Sequence, residues 1–451
     1  MVAFRESVTA AADYNRLLED RNLADETREA LREGQQKRRL VFGERPLSVS
    51  LRPQLLERRR YDAAVAASQA LYGALARLER ALLEDAELRR ELDLEPEEER
   101  LALADPGCRS SSPSSRLDGF FTDRIRYVEY NAESPAGMAY ADSLTEVFDE
   151  LPVMREFRDR YRIRPLPVRQ HQLSTMLRAF AEWKRAASPV VAIVDWTGLP
   201  TVSEFEMFRE YFEGQGIPAL ICDPRELEFK DGRLYAPGTE VNLVYRRVLI
   251  SELLAQGRAA RALAEAYVAG AACVINTFRA KLLHKKMSLA LLSDERYERL
   301  YTARQRQAIA SHVPWTRRVR EGPTTRGGER IADLAEHMLR RQRELVLKPN
   351  DEYGGKGVVL GWTVDAHEWE QTVEVALKQS YVVQEAVPVP RETFPVAVDG
   401  VQYLDLAMDM DPYLFDGRVS GCLTRLSSTA LLNVTAGAGS VVPTYVVEGR
   451  S

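Results

Sequence analysis

The chain is 451 residues long, 45% hydrophobic and 29% charged, with 62 basic and 67 acidic side chains intermixed to a net charge of -5. Such a chain can bury a large core over two or three subdomains, its balanced charge argues against nucleic acid as a partner, and no apolar run approaches the ~18 residues of a membrane span. Cys108, Cys222, Cys273 and Cys422 are scattered without CxxC spacing, which argues against a disulfide framework or a thiolate zinc site, and "MVAFRESVTAAADYNRLLEDR" is charged too early for a secretory leader; a reducing, cytoplasmic setting is expected.

Residues 1–104 read as a helical region, seen in "AAVAASQALYGALARLERALLEDAELRREL", where small and apolar residues recur at three and four. Pro, Gly and Ser in "LALADPGCRSSSPSS" then break the pattern and set a boundary. The next region, 105–188, holds "RLDGFFTDRIRYVEYN", which reads as a hairpin turning at Asp123-Arg124. That turn places Asp118 opposite Glu129, with Arg116 and Phe120 sharing the face on one strand and Tyr127 and Asn131 on the other. Two carboxylates about 5 Å apart are unfavourable without positive charge between them, and a hard cation with oxygen ligands would supply it.

From 189 to 298 the texture is that of a small parallel α/β layer with a linking helix. "PVVAIVDW", "IPALICDP", "VNLVYRRVLI" and "AACVINTF" read as strands, and "SEFEMFREYFEGQG" and "SELLAQGRAARALAEAYVAG" as the helices between them. Arg246 and Arg247 in "VYRRVL" are candidates for substrate binding, or else flank a core strand. In "RAKLLHKKMSLALLSDE", Lys281 and Lys285 read as a solvated helix face. The region 299–451 is mixed α+β, with strands at "ELVLKPN", "GVVLGWT", "YVVQEAV", "LDLAMDMDPYLF" and "RVSGCLTRL" and a helix near 365–379.

Within that last region, "LKPNDEYGGKGVVLGW" ends a strand at Lys348 and runs through Gly354, Gly355, Lys356 and Gly357 into another. Glycines let backbone N–H groups approach phosphate oxygens and lysines act as point charges, so the segment reads as a flap over a nucleotide or as a mobile hairpin. It is not a Walker loop, because Gly rather than Ser or Thr follows the Gly-Lys. Gln384 and Glu385 end the next apolar strand, where they could meet an adenine and a ribose. Asp405, Asp409 and Asp411 read either as a second metal cluster or as a solvent face. His171, His284, His312, His337 and His367 form no HxxxH or triad-like set and read as structural or exposed.

Taken together and in this order, the RxD of Arg116 and Asp118, the ExN of Glu129 and Asn131, a lysine before an "ALL" helix, "LKP" with its glycine loop, and "QE" resemble the circularly permuted ATP-grasp ligases. That group includes glutathionylspermidine synthetase and eukaryotic-type glutathione synthetase. In the usual ATP-grasp order the ExN end follows the phosphate lysines, whereas here it precedes them. The resemblance spans roughly residues 105 to 451. It implies that Asp118, Glu129 and Asn131 ligate magnesium bridging the phosphates of ATP, and that Lys286 and Lys348 contact those phosphates or the adenine. The loop Gly354, Gly355, Lys356 and Gly357 would close over the nucleotide, with Gln384 and Glu385 at adenine and ribose. Arg116 would stabilise an acyl phosphate, Arg425 would contact the transferred phosphoryl group or the carboxylate, and Asn433 and Gly437 would line the site. "HKK" stands where an Asn-Lys pair is expected, leaving Lys285 and Lys286 both open. The implied reaction joins a small-molecule carboxylate to an amine through an acyl phosphate, releasing ADP and phosphate. An oligomer is compatible with it. Residues 1–107 contain no cysteine, so the N-terminal cysteine amidase of some relatives is not expected. The alternatives are a nucleotide-binding scaffold without activity and a kinase acting on a non-carboxylate acceptor.

Overall fold

Residues 4–43, 45–184, 188–430, 432 and 439–450 are described by the computed structural model. The N-terminal region is built on three long helices, Phe4–Leu17, Arg21–Lys37 and Arg58–Glu84. The last buries Ala64, Ala67, Leu71, Ala74, Leu75, Leu78 and Leu82, a helical stripe that packs on the sheet carrying the 114–131 hairpin. Residues 41–57 depart from the helical reading. Gly43, at φ 62°, lies in the short hairpin Val41–Phe42/Arg45–Pro46, and Gln54–Glu57 runs parallel to the distant strand Thr444–Arg450. Pro46 and Pro53 deny that stretch the N–H groups a helix would use.

The four apolar runs after residue 189 form one parallel sheet, in the order Cys273–Ile275, Leu243–Arg246, Val191–Val194, Ala219–Cys222. Being covered on both sides, these strands are continuously apolar rather than alternating. Three short antiparallel strands, Glu228–Lys230, Arg233–Ala236 and Thr239–Val241, interrupt the layer without any strong apolar signal. The helix expected over 251–270 is divided at Gly257 into Ile250–Ala255 and Ala262–Val268.

Two antiparallel sheets frame the space beside this layer. The larger runs Arg391–Ala397, Val401–Met408, Arg418–Ser427, Asp411–Phe415, Ser114–Phe121, Ile125–Asn131, with Ser440–Val442 also on Arg418–Ser427. The smaller runs Thr316–Arg318, Tyr381–Glu385, Leu345–Pro349, Val359–Leu360, and the helices Leu334–Arg340 and Ala366–Lys378 cover one face through Met338, Trp369 and Val373. Leu345, Leu347 and Val383 point into that cover, so by the two-residue period Val346, Lys348 and Gln384 point the other way. Among the described residues no helix is long and apolar enough to cross a membrane.

The 114–131 hairpin reaches the expected pairing by an unexpected route. Asp118 faces Glu129 and Arg116 faces Asn131, but the turn spans three residues, 122–124, and the register shifts between Asp118 and Gly119. The bulge at Val128 absorbs the extra turn residue. It also sends Tyr127 to the opposite side, fully buried with its hydroxyl 2.7 Å from Ser68 Oγ, so Tyr127 does not share the face of Glu129 as the sequence reading had it. A Cβ on Gly119 would lie 2.7 Å from the Arg126 carbonyl oxygen. Gly119→Ala is therefore expected to lose about 1–3 kcal/mol, read as a lower denaturant midpoint at unchanged slope.

Candidate functional site

The hairpin, the open face of the smaller sheet and the glycine loop enclose a cleft of about 1030 Å³. Arg116, Asp118, Glu129, Asn131, Lys286, Lys348, Gly354, Gly355, Gln384, Glu385 and Arg425 all line it, though they come from segments spread over some three hundred positions of chain. Strand alternation aims the hairpin and sheet residues inward, and the antiparallel order of the larger sheet brings Arg425 beside Asp118.

Side-chain cations stand between the hairpin acids. Arg116 donates to both oxygens of Asp118 at 2.7 and 3.0 Å, and Arg425 donates to Asp118 Oδ2 at 2.8 Å. Asn131 Nδ2 donates to Asp118 Oδ1 at 2.8 Å, while Glu129 pairs with Lys286 at 3.0 Å. Burial alone would raise both carboxyls, but Arg116 and Arg425 hold Asp118 below the ordinary range and Lys286 does the same for Glu129. Arg425 also grips Asp409 at 2.6 Å and lies 3.0 Å from Asp411 Oδ2, an oxygen without a hydrogen bond. Asp409 and Asp411 are thus buried ion partners, not a solvent face, and burial raises both carboxyls above the ordinary range. Only Asp405 of that trio is at the surface, paired with Arg391.

Lys348 donates to Gln384 Oε1 at 2.7 Å and the Val128 carbonyl at 3.2 Å. Burial, with Lys286 adding to it, lowers its ammonium to about 8. Gln384 is fixed from the other side by donating to Thr316 Oγ1 at 3.0 Å, and Glu385 is held by Arg326. Lys286 reaches the glycine loop by donating to the Glu352 carbonyl. Lys356 is exposed and pairs with Glu352 at 3.2 Å, and Gly357, at φ 69°, packs against Pro349; neither lines the cleft. Asn433 and Gly437 lie outside the described residues.

The solvated-face reading of Lys281 and Lys285 is corrected. Both are buried: Lys281 Nζ lies 2.7 Å from Asp351, and 3.2 Å from each of Glu98 and Glu133, and Lys285 lies 2.8 Å from Glu98. Of the neighbouring lysines Lys285 and Lys286, the second faces the cleft. Glu133, His284 and Asp351 could bring three ligand atoms within 4.8 Å of one another, yet the Lys281 ammonium already serves two of them. This network ties the root of the glycine loop to the core. No local pattern announces it, because its members come from four separate segments.

A second cavity of about 1480 Å³ adjoins the first and shares Arg116, Asn131, Gly354 and Arg425 with it. It opens at the carboxyl ends of the parallel strands, where α/β layers generally seat ligands. Arg247 lines it, held by the Pro135 carbonyl at 2.9 Å, Tyr245 Oη at 3.3 Å and Glu204 at 3.4 Å, with Nε unpartnered among the described residues. Arg246 lines neither cavity. It is fully buried, donating to the carbonyls of Asn276 and Val248 and to Glu133, which is the core-strand alternative stated above. His284, Asp195, Glu204 and Glu252 also line this cavity and carried no sequence signal.

No family model matches the chain, and no curated protein matches it. Among solved structures it resembles a glutathione synthetase-like effector from Globodera pallida in its apo form, with a TM-score of 0.58 and 13% identity over 96% of this chain and 99% of that one. A protein described as "Putative gamma-glutamylcysteine synthetase" from Methylobacillus flagellatus KT aligns at a TM-score of 0.43 and 11% identity, covering 83% of this chain and 88% of that one. The first likeness shows that this chain has the fold of a glutathione synthetase-like protein.

Proposed function

We propose that the protein is an ATP-dependent carboxylate–amine ligase of circularly permuted ATP-grasp type. The observation that carries the reading is the convergence on one cleft of an acid and amide pair, two buried lysines, a glycine loop and a Gln-Glu strand end. Lys286 and Lys348 would hold the ATP phosphates, and Gly354 and Gly355, at φ 62° and 76°, would let the loop backbone approach them. Gln384 and Glu385 would face the adenine and ribose. The residues present fit a magnesium ion, because Glu129 Oε1 alone is engaged by Lys286 and the Asn131 amide donates through nitrogen only, leaving oxygens toward the cleft. In this arrangement Asp118 gives both oxygens to arginines and so orients them. Glu129 and Asn131 would hold the magnesium ion, whose charge would offset the negative charge that develops on the transferred group.

Arg116 and Arg425 line both cavities, which supports a role for them at the carboxylate that would accept the phosphoryl group. The amine would then attack the acyl phosphate, phosphate would leave, and the closed loop would keep water from the intermediate. Cytoplasmic location and small-molecule partners accompany this reading.

The test uses MgATP, hydroxylamine and a pool of small carboxylates. ATP-dependent hydroxamate is expected, since only an acyl phosphate yields it; phosphate transfer without hydroxamate would identify a kinase instead. Calorimetry near pH 8 in buffers of different ionisation heat should also show nucleotide binding that requires magnesium. A fraction of a proton should be taken up at the same time, as phosphates recharge Lys348, whose own value is about 8. Equal binding with and without metal would contradict the proposal.

A further inference from the structure

The second cavity is lined by three arginines and by the carboxylates of Asp195, Glu204 and Glu252, and the arginines are engaged in ion pairs that leave Asp195 and Glu252 out. Arg116 and Arg425 are committed to Asp118, Asp409 and Asp411, and Arg247 to Glu204. Asp195 and Glu252 line the same cavity and form no direct ion pair among the described residues, although Arg247 acts on Asp195 from farther away. Glu252 accepts from Tyr353 Oη at 3.0 Å and Trp196 Nε1 at 3.2 Å, both neutral donors, the first of which ties the glycine loop to the parallel layer. Asp195 ends the strand Val191–Val194, is 9% exposed, and has one oxygen, Oδ1, held by the Trp196 N–H at 2.9 Å. Buried polar atoms of other lining residues, among them Arg247 Nε and His284 Nδ1, have no hydrogen-bond partner among the described residues. A largely buried carboxylate that faces a cavity with no direct ion pair, beside polar atoms left unmatched, suits a ligand that brings a cation and hydrogen-bonding groups.

We infer that Asp195 receives the ammonium group of the amine substrate and takes the proton that must leave before nitrogen can attack. This rests on the ligase reading and extends it to the second substrate. The proton balance is complete without any further reactant. R–NH₃⁺ gives one proton to the Asp195 carboxylate and becomes R–NH₂. The nitrogen lone pair then forms the C–N bond at the acyl carbon. The C–O bond to phosphorus-bearing oxygen breaks with its electron pair, and the second nitrogen proton leaves with the departing phosphate. Burial, with Glu252 adding to it, raises the Asp195 carboxyl to about 6 even though Arg247 opposes the shift; such a carboxylate accepts protons more readily than an ordinary one.

Hydroxylamine and ethylamine separate this role from a structural one, because at neutral pH the first is already uncharged and the second is an ammonium ion. With MgATP and the carboxylate pool, wild-type protein is expected to form both hydroxamate and ethylamide. In Asp195→Asn the ratio of ethylamide to hydroxamate is expected to fall by about 100-fold or more, the usual scale of a lost general base. A ratio unchanged within threefold overturns the inference, as does wild-type protein that makes hydroxamate but no ethylamide. Absence of hydroxamate from the wild type is a different result, which removes the ligase reading and the inference with it. If thermal unfolding shows that Asp195→Asn does not fold, Asp195→Ser is read by the same ratio with the same criteria.

Discussion

Arg425→Gln is expected to lose about 3–5 kcal/mol of stability together with all measurable ligation. Arg425 is the shared cation of Asp118, Asp409 and Asp411, all buried, and although Asp118 would keep Arg116, removing Arg425 leaves Asp409 and Asp411 without their ion partner. The loss should depend on pH with a definite sign. Asp409 and Asp411 already have raised carboxyl values, so the folded state binds more protons than the unfolded chain once pH exceeds the ordinary carboxylate range. Stability contributed by these groups therefore falls as pH rises through their folded values, and without Arg425 that fall deepens. Denaturant unfolding at about pH 5 should show a smaller gap from the wild type than at about pH 8. Adding Asp411→Asn should recover part of the stability and none of the ligation. A variant as stable as the wild type at both pH values would mean that the cluster does not depend on its arginine.

Glu129→Gln separates function from folding more sharply. Its structural partner is Lys286, not Arg116, and the Glu129 side chain is 26% exposed, so screening and an amide oxygen that can still accept from Lys286 should hold the stability change to about 1 kcal/mol or less. ATP-dependent ligation should fall by about 100-fold or more, because an amide would hold a magnesium ion at the phosphates much less well than a full negative charge. The paired measurement is thermal unfolding in EDTA and ADP formation in magnesium. A clearly destabilised variant that still turns over ATP near the wild-type rate would make Glu129 a structural acid and would take with it most of the case for a nucleotide site.

The parts of this molecule that were legible beforehand share a short range. Leu345, Leu347 and Val383 on one side, with Lys348 and Gln384 on the other, follow from a two-residue period within single strands. The four apolar runs of the parallel layer could be read because a strand covered on both faces must be apolar throughout. The pairing of Asp118 with Glu129 was reached through a two-residue turn, and it survives because a three-residue turn and a bulge cancel. The same bulge moved Tyr127, since each one-residue shift exchanges the faces of a strand.

What remained closed to sequence reading was the electrostatic wiring. Lys281 stands in a lysine-rich stretch that reads as solvated, and only the approach of Glu98, Glu133 and Asp351 makes its burial tolerable. Asp195 sits at the end of an unremarkable apolar strand, and nothing local tells that it will face a cavity with one oxygen held only by a backbone N–H. The sequence by itself determined the four strands of the parallel layer, the hairpin and most of the longer helices, because those preferences arise between residues a few positions apart. The tertiary structure decided which charges meet. Asp118 and Arg425 lie 307 positions apart, and Coulomb attraction over a few ångströms acts only after chain closure has brought such partners together.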